Sequence, residues 1–417
     1  MKLKIHGNKK ISGIVNISGS KNAVLPLMTC ALLTDEVIVI NNVPNISDVK
    51  MLMDLLKEAG VEIIYLEKKQ RIILKRKEIR TNLNSANVHK IRASYYIMGG
   101  FVANRCNFKM NYPGGCAFTK RPIDYHIDAF KKVGYKIIEK DDNIYFFARK
   151  KISKKIYINL VKQSVGATIN ILFISVLKKG CTIIKNASLE PEVLQVVQLL
   201  KKMGAIININ DANQIEIIGV KKLSGASITV IPDRMEAGSF MLLALATSQS
   251  DIYIKNVYIP HLKEVIKTIR QMGVMVNTNN GVIHIVKENT IKGVSKIISA
   301  YPAFPTDLQQ ILCVSCLSAI NSSLIIDTIY PKRLSHVSEI KKANGNIEVN
   351  DGKIKISPSN IIANTFYAYD LRCGFACIVL GVMSDGISII ENAEVVLRGY
   401  ENIIDKLKGL GINVEMI

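Results

Sequence analysis

The chain has 417 residues, 48% of them hydrophobic, which favours about two or three domains with sizeable cores. Its formal net charge of +21 suits anionic partners but does not choose between nucleic acid, anionic lipid and phosphorylated metabolites. Only 6% of the residues are aromatic and none is tryptophan, which argues against a nucleic-acid surface built on base stacking.

The apolar segments and the cysteines argue against a membrane protein, a secreted protein and a metalloprotein. The longest apolar runs, INILFISVL and FMLLALA, fall short of the ~20 residues that a membrane-spanning helix needs. The first residues, MKLKIHGNKKISG, lack the apolar core of a secretory signal, so we expect a cytoplasmic protein with reduced cysteines. The six histidines are dispersed, and the CxxC of Cys313 and Cys316 lies in an apolar helical run, so we expect no metal site.

One pattern recurs six times along the chain: an amphipathic helix, a glycine and a short β-branched strand. The first copy reads LLKEAGVEII and the last reads KLKGLGINVEMI. We expect each glycine to end its helix, because the position after the C-cap takes a positive φ that glycine adopts without strain. The glycines are Gly60, Gly134, Gly204, Gly273, Gly345 and Gly411, separated by 66–74 residues.

Each copy also contains an earlier helix that is apolar nearly all round, as in SVGATINILFISVL. Such a helix is expected to be buried, whereas the amphipathic helix has one face in solvent. We therefore predict an α+β fold of the α/β inside-out barrel type, with two similar domains. Each domain is expected to hold three βαβαββ-like units, with central helices inside and sheets outside. The predicted domains are residues 21–231, and residues 1–20 together with 232–417.

The starts of the six buried helices carry polar or basic residues. Helix N-termini offer unpaired N–H groups and a partial positive charge. Full charges are added by Lys21, Arg92, Arg234 and Arg372. If the helix starts face one cleft, they would bind a polyanionic small molecule. The alternative for any single copy is an ordinary N-cap beside a solvated basic side chain.

Eight segments carry a family resemblance. They are SGSKNAVLP, NVPNISDV, PGGCAFTKRPIDYHI, SVGATINI, PDRMEAGSF, YPAFPTDLQ, DLRCGFA and LRGYENIIDKLKGLG. In this order, from the region of Ile5 to the C-terminus, the chain resembles the enolpyruvyl transferases, and among them those whose acceptor is UDP-N-acetylglucosamine. The resemblance implies transfer of the enolpyruvyl group of phosphoenolpyruvate to the 3-hydroxyl of that sugar nucleotide. The implied route is addition followed by elimination, with release of phosphate, as the first committed step of peptidoglycan synthesis.

The resemblance also assigns roles to the two domains and excludes several partners. Residues 21–231 would form the UDP-sugar side with the cysteine loop, and the other domain would be catalytic. The implied partners are phosphoenolpyruvate and UDP-N-acetylglucosamine, without a cofactor, a metal, nucleic acid or a membrane.

The same resemblance makes Cys116 the general acid that protonates the vinyl carbon, and a residue able to form a covalent phosphoenolpyruvate adduct. The neighbouring Lys120 and Arg121 agree with this role, because nearby cations favour a thiolate. Catalytic roles are implied for Cys116, Asp307, Lys21 and Arg398. Contacts with phosphoenolpyruvate are implied for Lys21, Asn22, Arg121, Arg398 and Cys116.

For the sugar nucleotide the resemblance implies contacts from three segments and three single positions. They are Arg92, Arg121, Pro122, Ile123, Asp124, Tyr125, Lys162, Gln163, Ser164, Val165, Asp307 and Ile329. Asp307 is the implied base for the sugar hydroxyl, with a helix N-cap as the alternative reading. Supporting roles are implied for Asp370, Arg372, Glu190 and Arg333.

Two other functions stay open at this point. The first is enolpyruvyl transfer to another hydroxyl, such as that of shikimate phosphate, although that enzyme is not expected to carry the cysteine loop. The second is a repeat-built basic protein that binds RNA or DNA. Steeply salt-dependent nucleic-acid affinity without turnover would favour the second.

Overall fold

A computed structural model of the protein describes residues 1–7, 10–114, 123–149, 154–210 and 212–417, with the side chain of Ser85 excepted. These residues form two compact units. Unit 1 consists of residues 1–18 and 232–417, and unit 2 of residues 19–114 and 123–231. Each unit has its own hydrophobic core.

The described residues contain thirteen α-helices. They are α1 (Lys21–Thr29), α2 (Ser47–Glu58), α3 (Ser85–Lys90), α4 (Tyr95–Ala103), α5 (Asp124–Lys132), α6 (Val165–Val176), α7 (Pro191–Lys202), α8 (Arg234–Ala246), α9 (Lys263–Gln271), α10 (Gln309–Ser315), α11 (Ser335–Lys342), α12 (Leu371–Met383) and α13 (Ile403–Lys408).

The strands are short. They are β1 (Leu3–His6), β2 (Lys10–Asn16), β3 (Ile38–Asn41), β4 (Val61–Leu66), β5 (Arg71–Arg76), β6 (Phe108–Asn111), β7 (Tyr135–Lys140), β8 (Asn143–Ala148), β9 (Lys155–Asn159), β10 (Cys181–Lys185), β11 (Ile206–Asn210), β12 (Gln214–Ile218), β13 (Ala226–Thr229), β14 (Gln249–Lys255), β15 (Met275–Asn279), β16 (Val282–Lys287), β17 (Ser295–Ile298), β18 (Ser323–Asp327), β19 (Asn346–Asn350), β20 (Lys353–Ser357), β21 (Thr365–Tyr367), β22 (Ile387–Glu391) and β23 (Val414–Met416).

Six small sheets repeat one strand arrangement. Unit 1 contains the sheets β21–β22–β1–β23, β15–β16–β14–β2 and β17–β18–β20–β19, and unit 2 contains β11–β12–β10–β9, β13–β3–β5–β4 and β6–β8–β7. In each four-stranded sheet a parallel pair is followed by two antiparallel pairings, as in β2–β14, β14–β16 and β16–β15. The predicted α+β class with repeated units is confirmed, and the strand pairings of the described ranges close no barrel.

The central helices are buried because their sequences offer no polar face. Every residue of α8 is buried, and so is every residue of α6 except Val165. The amphipathic α9 buries only Val265, Ile266, Thr268 and Ile269. In the same way β14 alternates exposed and buried residues along QSDIYIK, as expected for a strand with one face on a core. The predicted division into central and outer helices is confirmed.

The helix-ending glycines behave as predicted in five copies. Gly60 has a φ of 94°, and Gly134, Gly204, Gly273 and Gly411 are also in the positive-φ region. In the fifth copy the prediction for Gly345 is wrong, because the positive φ of 64° belongs to Asn344, one residue earlier. The helix α11 ends at Lys342, so Asn344 takes the place that glycine takes elsewhere. Asparagine tolerates this conformation better than other residues with a Cβ.

A buried polar cluster joins α8 to α13 in unit 1. Lys406 Nζ donates to Glu236 Oε1 at 2.5 Å and to Ser18 Oγ at 2.7 Å, and the Ser18 N–H donates to Glu236 Oε2 at 2.8 Å. Ser18 Oγ in turn donates to Glu401 Oε2 at 2.6 Å. Burial raises the pKa of Glu236 from 4.5 to about 7, although the neighbouring Lys406 acts in the opposite direction.

This cluster predicts a pH dependence of stability. The pKa of Glu236 is higher in the folded state than in the unfolded state. Its contribution to the unfolding free energy is therefore fully present below pH 4.5 and is lost as the pH rises through about 7. Between pH 4.5 and about 7 the unfolding free energy of the wild type should fall. In Glu236→Gln we expect this fall to be smaller by ~1–3 kcal/mol, measured by urea denaturation at each pH. Glu415→Gln, which removes an exposed carboxylate, should keep the wild-type slope. An unchanged slope in Glu236→Gln would contradict the prediction.

Candidate functional site

Two of the buried helices in unit 1 begin with a capping aspartate. Asp233 accepts hydrogen bonds from the N–H groups of Met235 and Glu236 at 2.8 and 3.0 Å, and so caps α8. Asp370 accepts from the N–H groups of Arg372 and Cys373 at 2.9 and 3.2 Å, and so caps α12. The third buried helix, α10, follows a 3-10 turn at Thr306–Leu308 whose N-cap residue is Pro305.

Asp307, on that 3-10 turn, lies between two guanidinium groups. Arg333 Nη1 donates to Asp307 Oδ1 at 2.8 Å. Arg372 donates to Asp307 Oδ2 from Nη2 at 3.0 Å and from Nε at 3.3 Å. Both carboxylate oxygens are therefore held by charge-assisted hydrogen bonds, which fix the side chain in one position. The structure brings together three residues that the sequence named separately.

Nearby acidic groups outweigh burial and favour the ionised form of the two guanidinium groups. Arg333 and Arg372 are almost fully buried, whereas the side chain of Asp307 keeps 27% of its surface exposed. Burial alone would lower the pKa of the Arg333 guanidinium, but Asp307 and Asp370 outweigh it and raise that pKa. The pKa of Arg372 is likewise raised against burial, by Tyr400, Asp307 and Asp233. An ionised carboxylate that reaches solvent is able to accept a proton from a bound hydroxyl.

The residues that support the two arginines lie on α10 and α11, at the N-cap of α12 and in the segment before α13. Arg333 Nη2 lies 3.8 Å from Asp370 Oδ1. Asp370 Oδ2 accepts from Ser335 Oγ at 2.9 Å, and Gln310 Nε2 donates to Ser335 Oγ at 3.3 Å. Arg372 Nη1 donates to Tyr400 Oη at 2.9 Å. We call Asp307, Arg333, Asp370, Arg372 and Tyr400 the carboxylate–arginine cluster.

The remaining predicted residues of unit 1 are Ile329 and Arg398. Ile329 is 37% exposed, and its N–H donates to Asp327 Oδ1 at 2.8 Å, so a backbone contact with a ligand would use its carbonyl oxygen. Asp327 also accepts from Thr306 Oγ1 at 2.6 Å, which ties this segment to the turn that carries Asp307. Arg398 is half-buried and ends the 3-10 turn Ala393–Arg398.

In unit 2 the start of α1 carries a buried ion pair. Lys21, the first residue of α1, places Nζ 2.7 Å from Asp48 Oδ2. The side chain of Lys21 is 14% exposed and that of Asp48 is 3% exposed. Asp48 lies in the first turn of α2, so the pair joins the central and outer helices of the first copy. Asn22 follows Lys21 on α1 and is half-buried.

A second group in unit 2 surrounds Arg92. Arg92 Nη1 donates to the carbonyl oxygen of Pro113 at 3.2 Å, and its guanidinium lies 5.5 Å from the ring centroid of Tyr95. The Tyr95 ring is 4.9 Å from that of His126. Burial, with a contribution from Arg92, lowers the pKa of His126 to about 3, so this imidazole is neutral. Its Nδ1 accepts from Asn170 Nδ2 at 2.7 Å.

The starts of α5 and α6 lie in the same group. Tyr125 Oη accepts from the N–H of Lys162 at 3.2 Å. Ser164 caps α6 by accepting from the N–H of Ala167 at 3.3 Å. A Cβ at Gly166 would lie 2.7 Å from Tyr95 Oη, so glycine is needed for this close approach. The structure thus groups Arg92 with the predicted segments at 123–125 and 162–165.

The individual predicted residues of these two segments differ in exposure. Asp124 and Lys162 are exposed, Gln163 and Val165 are half-buried, and Ile123 is buried. Glu190 occupies the N-cap position of α7, before Pro191. Burial raises the pKa of Tyr96, and Glu190 adds a small electrostatic contribution in the same direction. Three predicted residues, Cys116, Arg121 and Pro122, lie outside the described residues.

Among the described residues there is neither a metal-ligand cluster nor a membrane-spanning helix. No group of three or more metal-ligating side chains occurs in the part of the chain that the structure describes. Within the same residues, no helix is both long and apolar enough to cross a bilayer. Cys313 and Cys316 are both fully buried on and after α10, as expected for core packing.

Several residues of these clusters were not predicted from the sequence, among them His126, Tyr400, Asp48 and Ser335. His126 and Tyr400 lie inside the quoted segments PGGCAFTKRPIDYHI and LRGYENIIDKLKGLG, so the resemblance gave a signal for them. Asp48 lies in NVPNISDV, but its ion pair with Lys21 is known only from the 2.7 Å distance in the structure. Ser335 had no signal, because its role depends on the distance to Asp370.

A family model described as EPSP synthase (3-phosphoshikimate 1-carboxyvinyltransferase) matches residues 5–407. The chain is 39% identical over 415 residues to UDP-N-acetylglucosamine 1-carboxyvinyltransferase 2 of Bacillus cereus, covering 99% of this chain and 96% of the relative. It is 40% identical over 414 residues to the protein of the same name from Listeria monocytogenes, covering 99% and 97%. The chain belongs to the enolpyruvyl transferase family.

Solved structures agree with the fold. The enolpyruvyl transferase NikO from Streptomyces tendae superposes with a TM-score of 0.90 at 19% identity, covering 99% of this chain and 98% of that one. EPSP synthase from Acinetobacter baumannii gives a TM-score of 0.73 at 18% identity, covering 100% of both chains. At these identities the likeness shows the fold of this enolpyruvyl transferase and leaves its acceptor to other arguments.

Proposed function

We propose that this protein transfers the enolpyruvyl group of phosphoenolpyruvate to the 3-hydroxyl of UDP-N-acetylglucosamine, with release of phosphate. The observation that carries the proposal is the 39–40% identity, over nearly the whole length, to proteins named for this reaction. The positive net charge and the cationic helix starts suit two anionic substrates. The product commits the sugar nucleotide to peptidoglycan synthesis, which places the reaction in the cytoplasm.

The basic residues supply the binding of phosphoenolpyruvate. Lys21 and Asn22 lie at the start of α1, where the partial positive charge of the helix N-terminus adds to the lysine charge. Arg121 and Arg398 would bind the phosphate and carboxylate through planar, bidentate contacts. Lys21 is already ordered by Asp48 at 2.7 Å, so little of its side-chain entropy is lost on binding.

The sugar nucleotide is assigned to the group around Arg92 in unit 2. Arg92, the segment 121–125 and the segment 162–165 would bind the UDP moiety. The capped start of α6 presents N–H groups to a diphosphate. In unit 1, Asp307 and the carbonyl of Ile329 would contact the sugar.

The proposed reaction consists of an addition step and an elimination step. In the addition, the Cys116 thiol gives a proton to C3 of phosphoenolpyruvate while the sugar O3 bonds to C2, and Asp307 accepts the proton from O3. In the elimination, the C2–O bond to phosphate breaks, and phosphate leaves with the proton held by Asp307. The Cys116 thiolate takes a proton back from C3, which restores the double bond. Cys116 could also add across the double bond, with sulfur bonding to C2 and the thiol proton passing to C3, to form a covalent adduct.

The decisive experiment measures phosphate release. We expect release with phosphoenolpyruvate and UDP-N-acetylglucosamine together, and none with either substrate alone. Shikimate 3-phosphate is the competing acceptor, because the family model bears that enzyme's description. Release with shikimate 3-phosphate but not with the UDP-sugar would overturn the proposal. Salt-dependent nucleic-acid binding without any turnover would instead support the binding-protein alternative.

A further inference from the structure

Tyr400 is a fully buried tyrosine whose hydroxyl joins two polar groups in unit 1. Ser239 Oγ donates to the carbonyl oxygen of Met235 at 2.7 Å and lies 2.7 Å from Tyr400 Oη. Since the serine proton is used on Met235, the Tyr400 hydroxyl donates to Ser239. It accepts from Arg372 Nη1 at 2.9 Å. The hydroxyl thus uses its proton in the hydrogen bond to Ser239 and one lone pair in the hydrogen bond from Arg372.

The Tyr400 ring is held as firmly as its hydroxyl. It stacks on Phe375 with a centroid distance of 4.7 Å and an interplanar angle of 28°. Phe375 in turn meets Phe240 of α8 edge to face at 5.6 Å. The guanidinium of Arg372 lies 5.4 Å from the Tyr400 centroid, within the range of a cation–π interaction. The core therefore determines where the hydroxyl stands.

The guanidinium of Arg372 donates to one fixed acceptor along each of two edges. Nε and Nη2 point to Asp307 Oδ2, and Nη1 points to Tyr400 Oη. The arginine side chain is 4% exposed, so solvent cannot replace a lost acceptor without rearrangement. Without the hydroxyl, the guanidinium would turn to find another acceptor, and its two contacts with Asp307 would lengthen.

We propose that Tyr400 is a positioning residue for the reaction: its hydroxyl sets Arg372, and Arg372 sets the carboxylate of Asp307. The inference rests on the proposed function, because it assigns to Asp307 the role of base. Tyr400 also follows Arg398 by two positions, so the same anchor fixes the end of the 3-10 turn that carries the predicted phosphoenolpyruvate arginine.

The charged and titratable groups around Arg372 come from several elements. Asp307 precedes α10, Arg333 precedes α11, Asp370 caps α12 and Asp233 caps α8. All of them remain in a Tyr400→Phe protein. A change in the pH–rate profile of that variant would therefore report the altered contact between Arg372 and Asp307.

The test is steady-state phosphate release by Tyr400→Phe, with phosphoenolpyruvate and UDP-N-acetylglucosamine. We expect kcat to fall by about 10- to 100-fold, the effect of losing one hydrogen bond to a charged group. The acid limb of the pH–rate profile should move to higher pH, because a weaker contact with Arg372 stabilises the Asp307 carboxylate less. The KM for the UDP-sugar should change by less than about threefold, since uniform binding is retained.

Two further variants separate positioning from structure. Tyr135→Phe is the matched control: it removes a buried hydroxyl of unit 2 that bonds only the carbonyls of Val102 and Cys106 among the described residues, and it should keep the wild-type kcat. Ser239→Ala removes the acceptor of the Tyr400 proton and should lower kcat less than Tyr400→Phe. The double variant Ser239→Ala/Tyr400→Phe should be no slower than Tyr400→Phe, because the serine acts through the tyrosine.

The outcomes distinguish the inference from the proposed function. Absence of turnover in the wild type with both substrates would refute the function. Wild-type turnover, together with an unchanged kcat and pH profile in Tyr400→Phe, would overturn the inference even if the variant melts at a lower temperature. If Tyr400→Phe does not fold, Ser239→Ala tests the inference instead. A lower kcat at an unchanged melting temperature would support the positioning role of Tyr400. A wild-type kcat would overturn that role.

Discussion

Replacement of Cys116 by serine is expected to remove most of the turnover. A serine hydroxyl is a far weaker acid than a thiol, so it cannot protonate the vinyl carbon at neutral pH. General acid catalysis contributes about 10²- to 10⁴-fold, and we expect a loss of this size in kcat. The measurement is phosphate release at saturating concentrations of both substrates, with binding of the UDP-sugar checked by calorimetry.

The same thiol should make the wild-type protein take up one equivalent of an epoxide phosphonate of the fosfomycin type. The thiolate opens the epoxide, a carbon–sulfur bond forms and the alkoxide is protonated. The other seven cysteines are poor competitors. Cys30, Cys313, Cys316, Cys373 and Cys377 are buried, and burial raises the pKa of Cys316 to about 12. Burial also raises the pKa of the half-buried Cys106 and Cys181.

Intact-protein mass spectrometry checks this expectation. Cys181→Ser is the control, because Cys181 is half-buried yet lies on β10, outside the clusters that carry the proposed chemistry. It should still be labelled once, whereas Cys116→Ser should not be labelled. Near-normal turnover in Cys116→Ser would remove the general-acid assignment. Labelling of a different cysteine would show that local cations do not activate this loop.

The repeated fold was predictable because its signals are local. An apolar helix, an amphipathic helix and a glycine lie within one short stretch of sequence in each copy, and burial follows from the pattern of each helix. The one error has the same origin. Gly345 was expected to end its helix, but Asn344 precedes it and also tolerates a positive φ, so α11 ends one residue earlier than the pattern suggested.

The contacts of the site were not predictable in this way. The resemblance named Asp307, Arg333 and Arg372 one at a time, but nothing in the sequence says that both arginines bind one carboxylate across 26 and 65 positions. Tyr400 lies in a segment that carries the resemblance, but its contact with Arg372 is visible only in the structure. Such distances follow from the packing of α8, α10 and α12, in which each contact depends on all the others.

The second large effect is expected from Asp307→Asn. The amide cannot accept a proton from the sugar hydroxyl, so we expect kcat to fall by about 10²- to 10⁴-fold. In the variant, the amide nitrogen is a donor that is placed against the N–H donors of one arginine. Arg333 and Arg372 also lose their anionic partner. We expect an unfolding free energy lower by ~1–3 kcal/mol, less than for a fully buried pair because Asp307 is 27% exposed. Phosphate release and urea denaturation measure the two effects.

Stability and chemistry are separated by Lys406→Met, which breaks the buried ion pair with Glu236 in the same unit and leaves Asp307 intact. This control should lose stability but keep its kcat at temperatures where it is folded. Asp307→Asn should be slow under the same conditions. If Asp307→Asn retained more than about one tenth of the wild-type kcat, another group would have to accept the proton, since a general base contributes at least about 10²-fold.

The geometry around Asp307 also restricts how such a base would work. Two guanidiniums hold the carboxylate through charge-assisted hydrogen bonds, and a sugar hydroxyl is a far weaker acid than a carboxylic acid. The carboxylate is therefore too weak to deprotonate a sugar hydroxyl in advance. It can take the proton only as O3 bonds to C2 and the hydroxyl becomes acidic, so proton transfer and addition should occur in one step. The expected result is a solvent isotope effect on single-turnover addition that Asp307→Asn reduces to the part contributed by the Cys116 proton.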